Sequence, residues 1–364
     1  MVRATDMRGA ILHEVGRPLE ICELSVDVPG PHEVLIKTVA AGVCHSDLSF
    51  CSGQIPSTLP AVAGHESAGI VEAVGSMVSG ISPGDHVITC LSAFCGSCRF
   101  CLSGRPYLCR DPSLVRRPHE PSRILLDGTP VAQFTNLGSF AEQLLVHEHA
   151  VVVIDPLMPL DRAALIGCGV TTGLGAVFNT AAVTPGSVVA VIGCGGVGLS
   201  VIQGARIAGA GRIIAIDSSA PKLELAERMG ATHTVNASAA DPVDAVLALT
   251  SGGVEYSFEA VGRKETAEQA FEMLEQGGVA TLIGVLLGVR LEIDGGALAR
   301  ARRLQGSVMG SNRFRIDMPR YVNLYLQGRL EIDALISARI PLDAVNDALK
   351  AMERGEVARS VVVF

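Results

Sequence analysis

Val188-Val189-Ala190-Val191-Ile192, followed at once by Gly193-Cys194-Gly195-Gly196-Val197-Gly198, decides the fold of this 364-residue chain. The compact apolar run reads as a buried strand. A G-x-G-x-x-G placed straight after it, opening the helix-like stretch Leu199 to Ala208, is the strand–turn–helix of a dinucleotide-binding unit. The first glycine makes the tight turn, the second lets the backbone approach a pyrophosphate, and the third lets helix pack on strand. The helix start then offers free N–H groups and a positive dipole end to the phosphates. Asp217 ends the next strand, 19 residues after Gly198. A carboxylate there accepts hydrogen bonds from the adenosine ribose and repels a 2′-phosphate, which favours NAD over NADP. The competing reading is a tight glycine turn that binds nothing.

Working outward, strand-like runs recur at Ile213 to Ile216, His233 to Val235, Val254 to Phe258, Val279 to Val285 and Leu304 to Val308. Helical stretches lie between them at Ala220 to Met229, Pro242 to Leu249, Lys264 to Gln276 and Ala297 to Arg303. Six strands joined by crossovers predict an α/β unit with a doubly wound parallel sheet, a Rossmann domain over residues 170–309. Before it the texture is different. Short β-type runs broken by Gly and Pro, such as Val34-Leu35-Ile36 and Val151 to Ile154, predict a strand-rich domain. Pro319 to Phe364, with two helix-like segments and a terminal strand Val361 to Phe364, is too short to stand alone and returns to the first domain. The expected division is therefore 1–169 with 310–364, and 170–309.

Composition sets outer limits. Hydrophobic residues make up 48 % and charged residues 18 %, so a large core can be buried. The net charge of −8 argues against nucleic acid as a partner. The absence of a long uninterrupted apolar run argues against a membrane span, and Asp6, His13 and Glu14 near the start argue against an export signal. The expectation is a soluble, cytoplasmic protein whose ten cysteines serve metal or catalysis rather than disulfides.

Four of those cysteines, Cys95, Cys98, Cys101 and Cys109, are spaced C-x2-C-x2-C-x7-C. Four thiolates so close can close around one tetrahedral zinc and leave no open position, which is a structural site. An iron–sulfur cluster is a smaller competitor. Cys44, His65 and Cys168 sit in Gly42-Val43-Cys44-His45-Ser46-Asp47, Gly64-His65-Glu66 and Gly167-Cys168-Gly169. Singly, each has a bland explanation as a core thiol or a solvated histidine.

Taken together, the order of these motifs, Gly-Cys168-Gly-Val-Thr-Thr-Gly173 and the glycine fingerprint resembles the zinc-dependent alcohol dehydrogenases of the medium-chain dehydrogenase/reductase superfamily, from about Arg8 to Phe364. The resemblance implies a GroES-like catalytic domain beside the Rossmann domain, two zinc ions per chain, and NAD. It makes Cys44, His65 and Cys168 the ligands of a catalytic zinc with one open position. It makes Ser46 the hydroxyl that takes the alcohol proton, Asp47 the carboxylate that steadies His65, and Glu66 the acidic neighbour of the zinc. Around the cofactor it places His45, Thr172, Gly193, Gly195, Gly196, Val197, Gly198, Val285, the ribose contacts Asp217 and Lys222, and Arg359 at the pyrophosphate. The chemistry it implies is Lewis-acid activation of an alcohol and hydride transfer to the nicotinamide. Two positions depart from the best-known members. His45 stands in place of an arginine, which implies weaker, pH-sensitive phosphate anchoring. Ser49 stands in place of a histidine that hands the proton to solvent, so the relay beyond Ser46 ends differently.

By the same resemblance Leu91, Leu108, Leu114 and Phe134 face the substrate, with Ile55 at the mouth of the pocket. All are apolar, which favours a hydrophobic primary alcohol or aldehyde, aromatic ones included, over a polyol. No basic cluster suited to an acidic glutathione adduct is visible. The long segment Arg110 to Gly138 points to a homodimer, and Val279 to Val289 is either an edge strand crossing a two-fold axis or a core strand. The alternatives are a carbonyl reductase, a member whose NAD stays bound and is recycled, and a non-catalytic, zinc-organised NADH sensor.

Overall fold

The computed structural model describes residues 5–117, 120–355 and 358–364. The chain divides into two compact units, Met1–Cys168 with Arg313–Phe364, and Gly169–Asn312.

The second unit is built on six parallel strands in the order His233–Asn236, Arg212–Asp217, Val188–Ile192, Val254–Glu259, Leu274–Leu282 and Arg303–Gly306. The order reverses beside Val188–Ile192, and such a reversal opens a crevice at the carboxyl ends of the strands. This strand is buried on both faces, Val189 to Val191 being fully covered, as a central parallel strand must be. Ala190, Ile192, Ile214, Ile216, Val246 and Phe271 share one core. The glycine turn is forced by sterics. Gly193 has φ +93°, and a Cβ on Gly198 would overlap the Gly193 carbonyl oxygen.

Several element limits differ from expectation. The helix expected over Lys264 to Gln276 stops at Glu272, because Leu274 already pairs with Val254 in the sheet. The helix expected over Ala297 to Arg303 occupies Gly295–Ala299, where Asp294 accepts from the Gly296 and Ala297 N–H groups and so fixes its start. The strand expected from Val279 to Val285 runs Leu274–Leu282 and lies between two others, so it is a core strand; the edge is Arg303–Gly306.

The first unit holds a closed barrel of Thr5–Leu12, Glu20–Val26, Ile124–Leu126, Thr129–Gln133 and Ala61–Val62, and a seven-stranded sheet. The axis of that sheet is Glu33–Val43, buried along almost its whole length. The chain's last strand, Arg359–Val363, pairs antiparallel with it, Ser360 opposite Val43, which brings Arg359 to the edge of the motif that begins at Gly42. The helical run Leu160–Ala181 is long and apolar enough to cross a membrane by composition, but 83 % of its most apolar window is buried inside the fold, as in a core helix.

A buried ion cluster pins the start of Glu33–Val43. Glu33 accepts from Arg123 Nε at 2.7 Å, from Arg116 Nη2 at 2.6 Å and from the Gly30 N–H at 2.8 Å. Burial alone would raise the Glu33 carboxyl, but the two guanidinium groups outweigh it and hold the group below its ordinary value. Glu33→Ala leaves Arg123, only 7 % exposed, without its partner, and the expected loss is about 3–5 kcal/mol at pH 7. Because the folded carboxyl is the stronger acid, this stabilisation is present above its ordinary value and fades as pH falls through the lowered one. Urea unfolding of both proteins at pH 7 and near pH 3 measures this; a gap below about 1 kcal/mol at pH 7 contradicts it.

Candidate metal centre and dinucleotide site

Three segments of the first unit converge on the candidate centre. Cys44 precedes the short helix His45–Cys51 with an extended backbone. One Asp47 oxygen accepts the Cys44 N–H at 2.9 Å, and the other meets His65 Nδ1 at 2.8 Å. A single carboxylate therefore anchors the helix start and orients the imidazole. With the proton held on Nδ1, Nε2 presents a bare lone pair. That nitrogen is buried and has no hydrogen-bond partner. Cys168 arrives on a π-helical stretch, Ile166–Val170, where Gly167 allows close approach: a Cβ there would stand 3.1 Å from the Thr89 carbonyl oxygen and 3.5 Å from Glu66 Cα.

The ligand atoms of Cys44, His65, Glu66 and Cys168 lie within 4.8 Å of one another, and all four residues are buried. Two sulfurs, one imidazole and a carboxylate in a dry pocket fit a zinc ion, with the orphaned Nε2 as the direct sign. The groups of the centre shift one another. The Cys168 thiol beside it, aided by Arg359 and His65, holds Cys44 well below the ordinary thiol range against burial. Cys44, together with burial, holds Cys168 well above that range. Burial would lower His65, but the Asp47 carboxylate raises it.

Glu66 and Arg359 form the floor. Arg359 Nη2 donates to Glu66 Oε1 at 2.9 Å, and Nη1 donates to the Val43 carbonyl at 3.1 Å. Burial pushes Glu66 up to about 8, with Arg359 opposing. Arg359, expected at a pyrophosphate, has a side chain 5 % exposed and paired with Glu66. Glu66 Oε2 is buried and has no partner. A Cβ on Gly42 would strike that same oxygen, a constraint the sequence motif does not reveal by itself. The trace it leaves there is a glycine two residues before a ligand. Ser46 Oγ stands 4.0 Å from Cys44 Sγ, and His45 is exposed beside it.

The four-cysteine lobe is a second metal group. Its Sγ–Sγ separations include 3.5 Å for Cys98–Cys101, 3.8 Å for Cys98–Cys109 and 3.9 Å for Cys95–Cys101. Four sulfurs about 2.3 Å from one zinc stand roughly 3.8 Å apart. The Cys98 N–H donates to Cys95 Sγ at 3.3 Å and the Cys95 N–H to Cys109 Sγ at 3.4 Å, as suits thiolates.

The residues expected around the substrate do not all gather. Leu91 and Leu114 line a cavity of about 350 Å³ with Arg110, Arg123, Asn136 and His147. Phe134 is buried elsewhere, stacked on Phe50 at 4.2 Å and edge-on to His65 at 5.6 Å. Ile55 packs on the same core as Phe134, and Leu108 is half-buried on the lobe.

In the second unit, Asp217 accepts from the Cys194 N–H at 2.8 Å and the Ser219 N–H at 2.9 Å. This holds its carboxylate over the glycine turn. Nothing stands within 4 Å of where a Cβ on Gly195 would lie, so the turn keeps an open cradle, the shape a pyrophosphate needs. Gly196, Val197 and Gly198 open the helix Gly196–Ala208. Lys222 is half-buried one turn into Ala220–Met229, Val285 is exposed, and Thr172 is buried with its Oγ1 3.5 Å from Met309 Sδ.

Two family models match the chain: an alcohol dehydrogenase GroES-like domain over residues 30–156 and a zinc-binding dehydrogenase over 196–326. S-(hydroxymethyl)glutathione dehydrogenase of Synechocystis sp. is 40 % identical over 366 residues, covering 98 % of this chain and 99 % of that one. The crystal structure of benzyl alcohol dehydrogenase from Acinetobacter calcoaceticus superposes with a TM-score of 0.93 at 33 % identity, covering 99 % of each chain. A Sinorhizobium meliloti protein described as a zinc-binding dehydrogenase, bound to NADP, gives 0.85 at 32 %, covering 99 % of this chain and 100 % of that one.

Proposed function

This chain belongs to the zinc-dependent alcohol dehydrogenases of the medium-chain dehydrogenase/reductase superfamily, and from that premise we propose that it oxidises a hydrophobic primary alcohol, aromatic ones included, to the aldehyde with NAD. It is an oxidoreductase acting on CH–OH donors, with zinc sites and an NAD-binding domain. The observation that carries the catalytic part is the partnerless, buried Nε2 of His65 among the thiols of Cys44 and Cys168.

Cys44, His65 and Cys168 would hold the catalytic zinc, which supplies a Lewis acid that eases loss of the alcohol proton. Ser46 takes that proton and passes it toward solvent, where His45 stands exposed. Asp47 keeps His65 in the ligating tautomer, and Glu66 with Arg359 balances charge beneath. NAD, held by the Gly193–Gly198 turn and Asp217, would supply the hydride acceptor. Cys95, Cys98, Cys101 and Cys109 would hold a second zinc with no open position, a structural one. A cytoplasmic homodimer is part of the same proposal.

Support for an aromatic substrate comes from the benzyl alcohol dehydrogenase likeness and from the Phe134 ring, which stands edge-on to His65 at 5.6 Å. The name of the Synechocystis relative favours a second reading, a glutathione adduct. Following nicotinamide absorbance with benzyl alcohol and with S-(hydroxymethyl)glutathione decides between them. At least a tenfold higher kcat/KM for benzyl alcohol is expected, and the reverse order overturns the substrate assignment. For the cofactor, Asp217→Gly should lower the preference for NAD over NADP by about ten- to a hundredfold, the value of one or two charged hydrogen bonds. An unchanged ratio removes Asp217 from the ribose.

A further inference from the structure

Away from both groups described so far, a third set of metal-ligating side chains stands at the rim of the barrel. His13, Glu20 and Cys22 bring one donor atom each to within 4.8 Å of one another. The alternation of the strands puts them there. Leu24 and Val26 point into the barrel core, and Cys22 and Glu20 are the next two positions of that same row as Glu20–Val26 runs out of the core. On the partner strand Met7 and Ile11 point inward, Ile11 pairs with Glu20, and His13 is the next position of that row. The two rows end together at the rim.

The spacings are those of a coordination shell. His13 Nε2 lies 3.4 Å from Glu20 Oε2 and 4.0 Å from Cys22 Sγ. Nitrogen and oxygen ligands of one tetrahedral zinc stand roughly 3.4 Å apart, and nitrogen and sulfur ligands roughly 3.6 Å. The His13–Cys22 pair needs a few tenths of an ångström of closure, and the Glu20 and Cys22 donor atoms lie within 4.8 Å of each other.

We propose that His13, Glu20 and Cys22 form a third metal site, which takes a zinc-class divalent cation and ties the ends of two barrel strands together. A sulfur, an imidazole and a carboxylate select such a cation over calcium or magnesium, which prefer oxygen alone. The local field has the right sign, since Asp127 is a second carboxylate acting on Cys22 beside Glu20. Binding displaces the thiol proton to solvent and leaves a fourth position for water.

The test uses the full protein carrying its two tightly held zinc ions, titrated with further Zn²⁺ and followed by metal content and by alkylation of the Cys22 peptide. A third equivalent is expected, with Cys22 protected at least tenfold. Cys22→Ser and His13→Ala should each weaken the third equivalent about tenfold or more while leaving two zincs and the basal activity. Both changes are at the rim, so folding is not at stake. Absence of a third equivalent at millimolar zinc, or its persistence unchanged in both variants, overturns the site.

Discussion

His65→Ala will lower turnover about a thousandfold or more and reduce zinc content from two ions per chain to one. The Lewis-acid contribution is several kcal/mol, and each 1.36 kcal/mol is a factor of ten in rate. His65 has no exposed surface, and the donors that remain beside it, Cys44, Cys168 and Glu66, include no second imidazole. NAD affinity should hold, because Gly193 to Gly198 and Asp217 belong to the other unit. Metal analysis beside steady-state kinetics and cofactor titration measures all three quantities. Turnover within tenfold of the parent, or two zincs retained, would remove His65 from the centre.

Arg359→Leu is the second large effect, and it acts on stability. The substitution leaves Glu66, which has no exposed side-chain surface, facing buried thiols without its counter-charge. Removing one partner of a buried ion pair costs about 3–5 kcal/mol. Burial has already pushed Glu66 up to about 8 against the opposition of Arg359, so without the guanidinium the group takes a proton at still higher pH. Adding Glu66→Gln to Arg359→Leu should recover part of the loss, since the carboxyl that lost its partner goes with it. Urea unfolding of the two single variants and the double variant gives the coupling. If the losses of the single variants simply add, Arg359 does not act through Glu66.

How much of this could be read from the chain depended on distance along it. The strand–turn–helix at Val188 to Gly198 and the four cysteines within fifteen residues are local patterns, each complete in one short window. Their geometry follows from spacing alone. Strand ends were less legible. Residues up to Gln276 suit a helix by pattern, but the pairing of Leu274 with Val254 takes the chain into the sheet sooner. The role of Arg359 lay further out of reach. It is separated from Glu66 by 293 positions, and only the pairing of the last strand with Glu33–Val43 brings them together. Glu33, Arg116 and Arg123 escaped notice for the same reason, as did the crowding at Gly42. The third donor set was missed because His13, Glu20 and Cys22 follow no metal spacing; two strand registers, not one motif, align them.

The double use of the Asp47 carboxylate has a consequence for how the centre responds to substitution. Because one carboxylate spans the backbone of Cys44 and the ring of His65, the segment that carries the sulfur and the ring that carries the nitrogen are tied to a single point. A change at that one side chain would therefore disturb both donors together, although they lie 21 positions apart in the chain.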